Sequence, residues 1–138
     1  MTAVLLAPAH RAQIEAEARA ALPRECCGLI EGWREGAVIR VRTVHAVRNL
    51  SEAADRFDID PAEHVRLLRA ARERGSAIVG CYHSHPDGRA EPSPRDLAGA
   101  ADENFLWLIA ASTGDAVQLR GFLFRGGGFA PVELGESA

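Results

Sequence analysis

Residues 81–96 read CYHSHPDGRAEPSPRD. The apolar segment AIVG at 77–80 feeds straight into this stretch, which predicts a central strand ending on His83 and His85. Side chains at i and i+2 of a strand share one face, so both imidazoles can converge on one point. Further on, Ser93-Pro94 followed by Asp96 predicts a helix start. Ser93 is the N-cap, Pro94 takes the first helical position, and Asp96 is favoured by the positive end of the helix dipole. Capping alone accounts for Ser93 and Asp96. It does not account for an H-x-H pair just upstream.

Zinc accepts histidine nitrogen at about 2.0–2.1 Å and carboxylate oxygen at a similar distance. Asp96 is the best-placed third donor, because the intervening segment is long enough to curl back. Asp87 and Glu91 are rivals, but Asp87 lies between Pro86 and Gly88 and reads as a turn residue. Two histidines and one carboxylate leave a tetrahedral ion with one open position, the pattern of catalytic rather than structural sites. Water at such a position has its pKa lowered towards about 7. Hydrolysis would also need a proton carrier. Glu25, just before CCGLIEG, is one candidate, because a neighbouring parallel strand could hold its carboxylate over the metal-bound water; Glu31, Glu35 and Asp58 are others, and spacing does not choose among them.

The remaining composition narrows the setting. The chain has 138 residues, 47% hydrophobic and 25% charged, which fits one globular domain over 1–138. A net charge of −3 gives no electrostatic footprint for nucleic acid or an anionic membrane. No apolar run approaches the length of a bilayer span, and MTAVLLAPAH lacks a basic leader, so the cytoplasm is the expected compartment. Cys26, Cys27 and Cys81 are an odd number without C-x-x-C spacing, and are expected to be small buried hydrophobes.

Along the chain, TAVLLA predicts a short strand or the lead-in to a helix. Ile14, Ala18, Ala21 and Leu22 mark a helix from Pro8 that Pro23 ends. CCGLIEG reads as a strand, WREG as a turn, AVIRVRTVHAV as an alternating strand and RFDID as a further short one. Asp60-Pro61 opens a helix with Val65, Leu68 and Ala71 on one face, stopped by Gly75. PRDLAGAAD predicts a short helix and FLWLIAAS a buried strand. AVQLRGFLF and FAPVEL read as a hairpin around Gly126, Gly127 and Gly128. Helices interleave with strands, so the class is α/β or α+β on one mixed sheet.

Glu25-CCG-LIEG, then His83-Ser-His85-Pro, six residues, and Ser93-Pro-Arg-Asp96 together resemble the JAMM (MPN-plus, Mov34-type) zinc metalloprotease signature. The resemblance runs over most of the chain and is closest to the small prokaryotic stand-alone type. It implies a cytidine-deaminase-like α/β sandwich, a curved mixed sheet flanked by helices. It implies one Zn2+ per chain on His83, His85 and Asp96, and Glu25 as general base and then acid. Ser93 would hydrogen-bond the oxygen of the tetrahedral intermediate, with Ser84 bracing the loop. The implied chemistry is hydrolysis of a peptide or isopeptide bond after the C-terminal glycine of a ubiquitin-like or sulfur-carrier protein. The alternative is a non-catalytic MPN-type scaffold for such a partner. A nucleoside deaminase shares the implied fold, but its H-x-E and P-C-x-x-C elements are missing. The oligomeric state is open, a homodimer included. Arg24, Arg40, Arg42, Arg48 and Arg89 are candidates to meet an acidic carrier.

Overall fold

A computed structural model describes residues 2–137. Seven strands and three helices follow one another as β1 (Ala3–Leu6), α1 (Pro8–Ala21), β2 (Cys27–Glu35), β3 (Val38–Val47), α2 (Pro61–Glu73), β4 (Ala77–His85), α3 (Pro94–Gly99), β5 (Leu106–Thr113), β6 (Ala116–Arg125) and β7 (Gly128–Glu136). The sheet is mixed, in the order β1-β3-β2-β4-β5-β6-β7. Pairing is parallel for β4 with β5, and β1 lies parallel to both β3 and β7. That double pairing is where the structure departs from an open, helix-flanked sandwich. The short apolar strand β1 joins the two ends of the sheet and closes it into a barrel, pairing with the start of β3 and the end of β7.

Two apolar clusters lie on opposite faces of the sheet. On one face Ile14 and Ala18 of α1 pack among Val4, Ile30, Val79, Tyr82, Leu106 and Leu108. On the other, Leu67 of α2 packs with Leu29, Cys81, Trp107 and Phe124. Of the α2 face expected from spacing, Ala71 is buried and Leu68 half-buried, but Val65 is exposed and Leu67 takes its place in the core. Leu22, counted with the apolar stripe of α1, is also exposed. Gly28 is required by close approach, since a Cβ there would sit 2.1 Å from the Tyr82 ring. Gly75 ends α2 with φ +75°, a conformation that suits glycine.

Two local expectations shift. Trp33–Glu35 extend β2, and the turn falls on Gly36 and Ala37. RFDID forms no strand; it contributes a single bridge between Asn49 and Ile59, because its backbone is drawn into a side-chain-knotted loop. The hairpin at Gly126 and Gly127 forms as expected, both glycines having positive φ. No helix among the described residues is long and apolar enough to cross a membrane.

Candidate metal centre

The site lies at the end of β4, on the face covered by α2. In β4 the residues Ala77–His85 bury progressively, and His83, Ser84 and His85 are all buried. His83 pairs with Cys27 of β2 on one side and Ile109 of β5 on the other, so its backbone is fixed from both directions. Both histidines point their Nε2 atoms at one spot, 2.9 Å apart. Asp96 joins them: Oδ1 lies 3.0 Å from His83 Nε2 and Oδ2 lies 3.2 Å from His85 Nε2.

Asp96 reaches that spot because of the cap on α3. Ser93 Oγ accepts from Asp96 N at 3.1 Å, and Ser93 N donates to Asp96 Oδ2 at 2.8 Å, a complete capping box. Capping and metal ligation look like rivals in the sequence. In the structure the cap is what aims the carboxylate. Asp87 is exposed and accepts from Arg89 N, and Glu91 is exposed; neither is brought to the histidines as a rival donor.

Burial of Glu25 pushes its carboxyl up to about 7; His85 pulls it down and Asp96 raises it further. One ligand-capable atom each from Glu25, His83 and His85 falls within 4.8 Å of the others. Two overlapping sets of three therefore share both histidines. Glu25 precedes β2, which runs antiparallel to β4. The sequence expectation of a neighbouring parallel strand is corrected on this point: β4's parallel partner is β5. Ser84 secures the approach, its Oγ accepting from Cys26 N at 2.8 Å and its N donating to Cys26 O. Its role is thus to brace the glutamate segment, not the loop after β4.

The donor chemistry fits a divalent ion. Zinc ligands bonded at 2.0–2.1 Å in a tetrahedron stand about 3.3 Å from one another, close to the spacings of 2.9, 3.0 and 3.2 Å found here. His85 Nδ1 donates to Arg89 O at 2.7 Å, and a carbonyl can only accept. That bond frees the Nε2 lone pair of neutral His85 for the shared point, as ligating histidines require. His83 Nδ1 is buried with no partner among the described residues. Its ring is held instead by stacking on Phe57, 4.4 Å away at 22°, and by the edge of Trp107.

Charge follows the same geometry. Burial opposes ionisation of Asp96, yet bonds from His83 and His85 outweigh it and hold the carboxyl far below the usual range. Burial lowers His83, against the smaller pull of Asp96. For His85 burial is outweighed by the bonds to Asp96 and Arg89 O, and its pKa rises. Asp96 is therefore charged while Glu25 can hold a proton near neutrality.

Several residues fall elsewhere. Buried Glu31, half-buried His45 and exposed Arg74 form a separate cluster. Trp33 is on the rim and Trp107 in the core. Three of the five arginines named for docking are spent internally: Arg24 on Ser51 O and Glu52 O, Arg40 on Glu35, Arg42 on Arg74 O and Ser76. Phe57 and Asn49 are not among the site residues that the sequence points to.

Comparison with known proteins gives a consistent picture. A family model described as prokaryotic homologs of the JAB domain matches residues 7–122. The chain is 33% identical over 93 residues to a protein named "Desampylase" from Haloferax volcanii, covering 67% of this chain and 66% of that protein. It is 38% identical over 79 residues to a Thermus thermophilus protein named "Probable TtuB-protein conjugate cleaving protease", covering 56% of this chain and 50% of that one. The chain thus spans less than two thirds of these relatives. The solution structure of protein DSY2949 from Desulfitobacterium hafniense is 30% identical with a TM-score of 0.86, over 99% of this chain and 93% of that one. A buried His, His, carboxylate point at the end of β4, with the family match spanning most of the chain, leads to one conclusion: the chain belongs to the prokaryotic homologues of the JAB domain, the JAMM/MPN family.

Proposed function

We propose that this chain is a single-domain, zinc-dependent JAMM-type metallopeptidase. It hydrolyses a peptide or isopeptide bond after the C-terminal glycine of a ubiquitin-like or sulfur-carrier protein. The observation that carries this is the convergence of His83, His85 and Asp96 on one point, with buried Glu25 beside it. His83 Nε2, His85 Nε2 and Asp96 would hold one Zn2+, which supplies Lewis acidity and lowers the pKa of water. Glu25 is the proton carrier, not a ligand. Its carboxyl sits near 7, where it can take a proton from the attacking water and deliver it to the departing amine as the C–N bond breaks. Ser93 Oγ, already accepting from Asp96 N, keeps its hydroxyl hydrogen for the oxygen of the tetrahedral intermediate.

Substrate class rests on the relatives named for desampylation and conjugate cleavage. Three free thiols suit a reducing, cytoplasmic setting. The scaffold alternative is disfavoured because both histidines, the aspartate and the glutamate are present and convergent. A carrier protein fused through its C-terminal glycine to a short peptide tests the proposal. The zinc-loaded chain should release the peptide, seen as the carrier's mass loss, and a chelator should stop it. A metallated chain inert towards all carrier fusions would instead favour the scaffold.

A further inference from the structure

The loop from Arg48 to Asp60 is tied together by one side chain. Asn49 uses its whole amide: Nδ2 donates to Arg56 O at 3.1 Å and to Glu25 O at 3.0 Å. Its Oδ1 accepts from Ser51 N and Asp58 N, each at 2.9 Å. Leu50 N adds a bond to Asp58 O, closing the loop on itself. An Asx turn would need only the bond to Ser51 N. The bond to Glu25 O serves no turn, since it crosses to the segment that carries the proton carrier.

We propose that Asn49 is a positioning residue for Glu25: its amide pins the Glu25 carbonyl and thereby sets where the carboxyl stands against His83 and His85. Glu25 lies outside β2, so the sheet ladder does not hold it. Its neighbour Cys26 is fastened to Ser84 on one side, and Asn49 fastens Glu25 from the loop side. The two anchors together leave the Glu25 backbone little freedom. A misplacement of about 1 Å in a proton-transfer group can cost on the order of 100-fold in rate. The inference rests on the function proposed above for Glu25.

Two variants test it on the zinc-loaded full chain, with kcat, KM, zinc content and backbone amide exchange as readouts. Asn49→Asp keeps both acceptor bonds, so the Ser51 and Asp58 amides stay protected, but it cannot donate to Glu25 O. Asn49→Ala loses both kinds of bond without adding charge. Both should lower kcat about tenfold or more while KM stays within about twofold of wild type. Asn49→Asp should keep the wild-type zinc content and show faster exchange at the Cys26 amide. If Asn49→Ala does not fold, Asn49→Asp alone decides. Wild-type kcat in a folded variant overturns the inference, as does a loss of kcat that tracks loss of zinc. If wild type itself is inert on carrier fusions, the proposed function is what fails. Faster Cys26 exchange in Asn49→Asp then still supports the tether, and unchanged exchange overturns it.

Discussion

Two glutamates on either side of the β2 entry are both buried, both beside a histidine, and opposite in behaviour. Glu31, on β2, accepts from Arg74 through both oxygens and from His45 Nε2 at 2.9 Å. Burial would raise its pKa, but these partners outweigh burial and lower it. Glu25 has no cation of that kind; burial dominates and lifts it to about 7. The lesson is that burial alone does not mark a working acid. Glu31 is a satisfied ion pair that clamps the end of α2 to the sheet, whereas Glu25 keeps its proton capacity unspent.

The widest separation between the two should appear in catalysis. Glu25→Gln is expected to lower kcat by about 10²–10⁴-fold, the usual worth of a positioned acid or base. Glu31→Gln should leave kcat within about threefold, since no Glu31 contact reaches the histidines of the centre. Steady-state kinetics on a carrier fusion checks both, and equal losses would erase the distinction drawn here. Ser93→Ala comes next, with kcat about 10²-fold lower. Loss of its cap should cost about 1 kcal/mol in a denaturant titration. The backbone N–H that holds Asp96 survives this change, so zinc should be retained.

A smaller effect separates the pair by pH. Glu31 titrates lower when folded than its ordinary value of 4.5. The stability it contributes is therefore full above that value and is lost as pH falls through the lowered folded one. Glu31→Gln should cost about 2 kcal/mol at pH 7, held to that size because Arg74 is 40% exposed. Urea midpoints of the variant and wild type should draw together as the pH is brought down towards 3. A gap that widened in acid would reverse the assignment.

This contrast also explains what the sequence could and could not say. His83, His85, Ser93 and Asp96 were legible because one strand end and one helix cap carry them, and local rules describe both. The long helices and the hairpin at Gly126 were legible for the same reason. Choosing Glu25 over Glu31 by spacing failed because both sit in similar local patterns; their difference lies in Arg74 and His45, distant in the chain and adjacent only when folded. Barrel closure was hidden in the same way. Nothing in AVLL says that β1 will pair with β7 as well as β3. Phe57 and Asn49 sit in a loop whose order comes from side-chain hydrogen bonds rather than periodicity, so no pattern announced them.

The shared histidines leave two possible third ligands, Asp96 and Glu25, and zinc content distinguishes them. Wild type and Glu25→Gln should each carry one zinc per chain by elemental analysis after gel filtration, and Asp96→Ala should carry none. Stoichiometric zinc in Asp96→Ala, with zinc lost from Glu25→Gln, would contradict the account.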